Sequence, residues 1–221
     1  MFRELDVIPP AEAFDGPMQM ALDEILLADV LRPTLRLYRW TSPWITFGYF
    51  QKLEAVTAQW PGIPTVRRWT GGGMVRHGED LTFSLVIPTG EPAVDLSPGE
   101  FYNRVHSFVA RAVAPVLGNG VRLVGREEVC AGEACFTAPA MDDLIRDGRK
   151  ILGGAQRRRG GSLLYQGSLQ DPSAGKIDPL CLASVLAREV KVLPDLPAGI
   201  VALARSLAAE KYGSEAWNGR R

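Results

Sequence analysis

Three segments of the chain carry side chains whose types and spacing could do chemistry. The first is Val66-Arg-Arg-Trp-Thr-Gly-Gly-Gly-Met-Val-Arg-His77, in which Gly71, Gly72 and Gly73 are flanked by Arg67, Arg68, Arg76 and His77. Three glycines after a strand cost backbone entropy that packing cannot recover. They suit a main chain that approaches a ligand closely and offers its N–H groups to oxygens. The arginines would complement a phosphate, a carboxylate or a pantetheine-linked group. A glycine-rich hairpin with solvated arginines is the alternative, and the flanking basic residues favour the ligand loop. The pattern is neither the Walker phosphate loop nor the dinucleotide GxGxxG.

The second segment is Asp147-Gly-Arg-Lys-Ile-Leu-Gly-Gly-Ala-Gln-Arg-Arg-Arg159. Lys150 opens a strand running into Gly153, Gly154 and Ala155, so its ammonium can reach a ligand lying against small residues. Taken alone, Lys150 reads as a solvated surface lysine. Arg157 to Arg159 reads as a solvated or acceptor-facing turn, because no aromatic residue interleaves with it. The third segment, Gly132-Glu-Ala-Cys-Phe-Thr-Ala-Pro-Ala140, sets Cys135 in a loop of small residues. A thiolate accepts acyl groups when a nearby cation lowers its pKa, yet an inert half-buried thiol fits the same spacing. Cys181 reads as core, and Cys130 is open to either role.

Composition bounds these possibilities. The 221 residues include 25 Lys plus Arg, 25 Asp plus Glu and two histidines. A formal net charge of zero argues against general capture of nucleic acid or anionic membrane, so any basic function is local. Three cysteines are too few and too odd in number for a disulfide scaffold and suit a reducing cytosol. The Cys130–Cys135 spacing is loose for zinc, so no metal site is expected. The N-terminal segment lacks the apolar core of a signal peptide, and no apolar run approaches the roughly 20 residues that span a bilayer. A cytoplasmic protein without membrane or nucleic-acid partners is the expectation.

The elements that would position these segments follow from periodicity and punctuation. Helices are predicted over Pro17 to about Leu31, Pro98 to Val116, Pro179 to Val190 and Pro197 to Tyr212. Short strands are predicted over Thr34–Trp40, Trp44–Tyr49, Thr65–Trp69, Leu81–Ile87, Val121–Val124, Asp143–Arg146, Lys150–Arg157 and Leu163–Leu169. Asp147-Gly148 is a hairpin turn signal. The pattern predicts one α+β domain over residues 1–221, a largely antiparallel mixed sheet packed with helices.

Together the segments resemble the lipoate–protein ligase A and octanoyltransferase superfamily, which is related to biotin–protein ligases. The resemblance runs from about Gly16 to Leu169. It rests on Met20-Ala-Leu-Asp-Glu24, Trp44-Ile-Thr-Phe-Gly-Tyr-Phe-Gln51, the Arg67–His77 loop, and Asp143-Leu-Ile-Arg-Asp-Gly-Arg-Lys-Ile-Leu-Gly-Gly-Ala-Gln156, in the family's order. It implies a biotin/lipoate-ligase-like catalytic domain, without the accessory C-terminal domain of some ligases. The implied reaction is transfer of an octanoyl or lipoyl group to one lysine of a lipoyl carrier domain.

Two chemistries occur on this scaffold. Ligases activate free lipoate as an acyl-adenylate and need ATP and Mg. Octanoyltransferases take the chain from acyl carrier protein through a cysteine thioester and need no cofactor. The loop around Cys135, fifteen residues before Lys150, resembles the cysteine loop of one octanoyltransferase branch, which favours the transferase. The resemblance then implies Cys135 and Lys150 as catalytic. It implies Arg67, Arg68, Gly71, Gly72, Gly73, Arg76, His77, Gly153, Gly154, Ala155, Gln166 and Gly167 as substrate-binding. Burying eight carbons at about 0.8 kcal/mol per CH₂ would supply ample binding energy. An ATP-dependent ligase and a non-catalytic acyl-binding module are the competing readings; a biotin ligase is weaker, since Gly-Arg-Gly-Arg is absent. The chain departs from the family at Gln166, where histidine is common, at Gly154, where serine is common, and at Gly78-Glu-Asp80, where an aspartate usually follows the histidine directly.

Overall fold

A computed structural model of the chain describes residues 1–10, 12–118, 120–129 and 139–220. Its strands are β1 (Phe2–Ile8), β2 (Thr34–Leu37), β3 (Trp44–Phe47), β4 (Thr65–Arg67), β5 (Val75–His77), β6 (Leu81–Ile87), β7 (Val121–Leu123), β8 (Leu144–Arg146), β9 (Arg149–Arg159), β10 (Ser162–Leu169) and β11 (Ala187–Val192). Its helices are α1 (Gly16–Asp29), α2 (Leu53–Gln59), α3 (Pro98–Leu117), α4 (Leu180–Leu186), α5 (Ala198–Leu207) and α6 (Glu215–Asn218).

Local chemistry sets the helix starts. Asp15 caps α1 by accepting from the Met18 amide, with Pro17 in the first turn. Ser97 and Glu100 form a capping box on α3, with Pro98 behind the cap, which satisfies N–H groups that would otherwise lack partners. The Asp147-Gly148 signal is observed as a tight turn between β8 and β9, both residues having positive φ.

Among the described residues, eight strands form one mixed sheet in the order β11-β1-β2-β6-β10-β9-β8-β7, and β4-β3-β5 form a smaller one. In the large sheet only β1 with β11 and β1 with β2 run parallel, so the largely antiparallel expectation holds. The two-residue side-chain period sorts each central strand between two cores. Phe83, Leu85 and Ile87 of β6 and Leu163, Tyr165 and Leu169 of β10 join α3 and α4 on one face. Val86 and Leu164 join α1 and α5 on the other. On that second face Thr82, Ser84, Gln166 and Ser168 are also buried. A third cluster, Ile45, Phe47 and Val56, packs the small sheet against α2.

Two predicted helices need correction. Pro179–Val190 is helical only through Leu186; Ala187–Val192 is an edge strand, where Val190 and Val192 alternate with charged residues and β1 supplies the hydrogen bonds. The final helix closes as a single wide π turn over Ala208–Tyr212. No helix among the described residues is long and apolar enough to cross a membrane.

Candidate functional site

The small sheet packs against the second face of the large one, and a slot opens between them. Its walls are Thr46, Arg68, Gly72, Val75 and His77 on one side, and Gly153, Gly154, Ala155, Gln166, Gly167 and Ser168 on the other, with Met20, Tyr38 and Trp40 closing it. The arginine–glycine loop and the Lys150 strand, about 80 residues apart in sequence, therefore face each other.

Adjacent arginines on the loop do different work. Arg67 is 1% exposed and directs its guanidinium away from the slot. Nη1 donates to the carbonyls of Tyr49 (2.7 Å) and Gln51 (2.6 Å), Nη2 to those of Asn218 (2.7 Å) and Arg220 (2.8 Å), and Nε to that of Trp217 (3.1 Å). Its role as a substrate-binding residue is therefore corrected to a clamp between the 48–51 turn and the C-terminal segment. Arg68 does line the slot. Nη2 donates to the carbonyls of Gly71 and Gly73, each at 2.8 Å, and Nη1 to Thr46 Oγ1 at 2.8 Å, so it shapes the glycine loop from inside.

That loop needs its glycines at defined points. Gly72 has φ +83°, a conformation side chains resist. Its carbonyl oxygen would lie 1.8 Å from a Cβ on Gly48, so the glycine of the Gly-x-x-Gln turn is required by close approach. Gly48 N–H donates to Gln51 Oε1 at 2.9 Å, which holds that turn.

His77 is buried on the slot wall and stacks on Trp40 at 4.4 Å. Nδ1 is 2.8 Å from Asp80 Oδ2 and Nε2 is 2.8 Å from Thr46 Oγ1. Nδ1 thus faces a carboxylate, and Nε2 faces a hydroxyl whose oxygen also accepts from Arg68 Nη1. Burial opposes charge on Asp80, but His77, Ser168 and Thr82 outweigh it and hold its carboxyl below the ordinary value. The spacing Gly78-Glu-Asp80 thus still delivers an aspartate to the histidine. Arg76, one residue earlier on the strand, is exposed and lines an adjoining cleft with Pro43, Arg149 and Gln170, which meets the slot at Trp40 and His77; strand alternation keeps Arg76 off the slot wall itself.

Lys150 comes to lie against Gly153 of the slot wall through an irregularity. One step along β8, Leu144 to Ile145, matches two along β9, Leu152 to Lys150, the signature of a bulge. Ile151 and Leu152 both enter the same core, which turns Lys150 to the face of Gly153. A Cβ on Gly153 would lie 2.8 Å from Lys150 Nζ. The ammonium pairs with Asp143 Oδ2 at 2.6 Å, both side chains being buried.

Asp143 also accepts from the Ala140 amide at 2.6 Å and from Tyr102 Oη at 2.5 Å. Chain leaving the 130–138 segment is thereby fastened to the carboxylate that holds Lys150. Cys135 and Cys130 lie in that segment, outside the described residues. Cys181 is half-buried, its Sγ 3.6 Å from the Ala112 carbonyl, and burial raises its pKa.

The slot floor is a polar network of which the sequence offered only Gln166, as a site candidate, and Asp23, inside the Met20–Glu24 motif. Asp23 pairs with Arg36 Nε at 2.9 Å and accepts from Ser84 Oγ, Gln166 Nε2 (2.8 Å each) and the Tyr38 hydroxyl. Gln166 Oε1 accepts from Thr70 Oγ1 at 2.7 Å. Burial first, then Asp23, raises the Tyr38 pKa, so the phenol stays a donor.

Arg157 is not a solvated turn residue. It is half-buried against Trp69 and Tyr49, 4.7 and 5.2 Å from their ring centres; the aromatic partners missing from its own segment come from the turns that follow β4 and β3. Groups of three or more metal-ligating side chains are absent among the described residues.

Residues 15–173 match the lipoyl protein ligase A/B catalytic domain family. An octanoyltransferase, LipM, of Moorella thermoacetica is 37% identical over 169 residues, covering 70% of this chain and 61% of the relative. The chain thus spans about three fifths of the length of such relatives. Protein Ta0514 of T. acidophilum, solved with bound lipoic acid, superposes with a TM-score of 0.72 at 22% identity, covering 99% of both chains. A lipoate-protein ligase A bound with ATP gives 0.70 at 22%, covering 99% of this chain and 98% of the other. At that identity the two structures establish the fold.

Proposed function

The chain belongs to the lipoyl protein ligase A/B catalytic domain family, and from that premise we propose that it moves an octanoyl group from acyl carrier protein to a lysine of a lipoyl carrier domain. The observation that carries the reading is Lys150. It is a buried ammonium lying on Gly153 at the slot wall, tied through Asp143 to Ala140 beside the Cys135 segment. Similarity to octanoyltransferases at 37% identity supports it.

In this reaction the Cys135 thiolate attacks the donor thioester carbonyl, a new carbon–sulfur bond forms as the donor's breaks, and the carrier leaves as a thiolate that takes its proton from water. The neutral amine of the acceptor lysine then attacks the enzyme thioester, the carbon–sulfur bond breaks as an amide forms, Cys135 leaves as thiolate, and the surplus amine proton passes to water. Lys150 offsets the charge on the thiolate and on the oxygen of each tetrahedral intermediate. A single fixed donor of this kind contributes about 3–4 kcal/mol. The chain lies in the slot between the Gly72 loop and Gly153–Ala155. A thioester donor is already activated, so ATP has no step to perform. The reaction belongs in the cytoplasm, where free thiols persist.

Intact mass after incubation with octanoyl acyl carrier protein tests the proposal. An added octanoyl group, lost in Cys135→Ser and passed to an apo lipoyl domain without ATP, is the expected result. Absence of the adduct, together with lipoylation by the Cys135→Ser variant that requires ATP and free lipoate, would establish the ligase instead.

A further inference from the structure

Among the described residues, no strand pairs with β9 beyond Leu152 on the side where β8 begins at Leu144. The Gly154 N–H on that wall of the slot is instead taken by a side chain, donating to Tyr102 Oη at 3.0 Å. The same hydroxyl donates its one hydrogen to Asp143 Oδ1 at 2.5 Å. Asp143 Oδ2 holds Lys150 Nζ at 2.6 Å, and the lysine head lies back over Gly153. Lys150, Asp143, Tyr102 and the Gly153–Gly154 backbone therefore close a ring of contacts with Tyr102 as its far corner.

We propose that Tyr102 is a positioning residue for reaction at Lys150, its hydroxyl locking the Asp143–Lys150 pair to the Gly154 amide of the slot wall. The inference rests on the reading that Lys150 takes part in acyl transfer.

Three features suit Tyr102 to this work. Its ring is half-buried, and desolvation first, then Tyr165 and Asp143, raises its pKa well above 10, so it remains a donor. Both hydrogen-bonding functions of the hydroxyl are engaged, one as donor to the carboxylate and one as acceptor from the amide. The ring is braced from behind by His106, 3.9 Å away between centres. His106 is fixed in turn by the Asp142 carbonyl (2.7 Å) and Tyr165 Oη (2.6 Å), and Asn103 Nδ2 holds Asp142 Oδ1 at 2.8 Å. One stretch of α3 thus grips both aspartates that precede β8.

Tyr102→Phe keeps the ring and deletes only the link. In transfer from octanoyl acyl carrier protein to an apo lipoyl domain, kcat should fall about 10- to 100-fold, the cost of a reacting group held out of line. The donor KM should stay within about twofold, since ground-state binding is untouched. Amide exchange at Gly154, read by NMR and independent of activity, should accelerate. Tyr165→Phe is the comparison: it loosens the His106 brace but removes no hydrogen bond to Asp143 or the Gly154 amide, and its kcat should fall clearly less than that of Tyr102→Phe. Wild-type kcat in Tyr102→Phe alongside an inactive Lys150→Ala overturns the positioning role alone. Equal kcat losses in Tyr102→Phe and Tyr165→Phe overturn it in favour of general packing. Transfer that survives Lys150→Ala overturns the reading of Lys150 and the inference resting on it.

Discussion

The two walls of the slot each present buried cations, and they hold them by opposite means. On the glycine-loop wall, Arg67 gives its donors to backbone carbonyls, and Arg68 gives at least three to Gly71, Gly73 and Thr46. On the β9 wall, Lys150 is matched to a buried carboxylate that three donors surround. Carbonyl dipoles hold a guanidinium by saturating its fixed fork, which shapes a loop and leaves little for a ligand. A compact ammonium on one carboxylate, lying on a residue without a side chain, keeps its charge beside the space a substrate would fill. The first arrangement builds the site and the second can act in it.

The largest effect that would break this contrast is at Lys150. Lys150→Met paired with Asp143→Asn avoids stranding a buried carboxylate. The double variant should unfold in urea near the wild-type midpoint, while octanoyl transfer falls by about 10²–10³ or more. Comparable activity in the two proteins would make Lys150 structural, like Arg67.

Next comes the clamp. Arg67→Ala orphans carbonyls of the 48–51 turn and the C-terminal segment and should cost about 3 kcal/mol in urea unfolding. Activity per folded molecule should fall far less than for Lys150. A large activity loss at unchanged stability would return Arg67 to the substrate side.

A third prediction sharpens the β9 wall. A Cβ at Gly154 would lie 2.2 Å from Tyr165 Oη, so Gly154→Ala should cost about 1–3 kcal/mol by overpacking. In a cycle with Tyr165→Leu the two changes should couple by about 1–2 kcal/mol. Additive costs would show that the glycine answers to something other than Tyr165.

The most gradual effect is a pH slope. Burial lowers the His106 pKa to about 3, against an ordinary 6.5, the Asp142 carbonyl opposing and Lys150 assisting. Unfolded chains take up this proton below about pH 6.5 and folded ones do not, so stability falls as pH drops from there toward 3. The contribution approaches about 1.4 kcal/mol per pH unit within that window. His106→Gln should remove that increment between pH 6 and 4 in urea titrations; an unchanged slope would mean His106 titrates alike in both states.

Much of the scaffold was legible because it depends on short-range rules. Leu81–Ile87 has the same bounds in sequence and structure, since its period of two matches a sheet with a core on each face. The α3 start stands at Pro98 as expected, with Ser97 and Glu100 closing a capping box there. Ala187–Val192 misled, because its preceding residues are helical and the partner that makes it a strand, β1, lies some 180 residues earlier. In the site, the glycine loop, Arg68, His77 and Lys150 were readable as candidates. Asp143, Tyr102, His106 and Thr46 were not, since a buried aspartate or phenol has no local pattern until its partner is known. Arg67 looked equivalent to Arg68 for the same reason.

The sequence by itself determined that an arginine–glycine loop and a lysine strand exist, in an order that resembles one family, with a mixed sheet to carry them. Tertiary structure alone decided which cation faces the slot. A one-residue bulge in β9 changes the face of Lys150, strand alternation sends Arg76 outward, and the C-terminal segment claims Arg67. Each is a matter of partners far apart in the chain, and side-chain direction is settled by what a residue packs against.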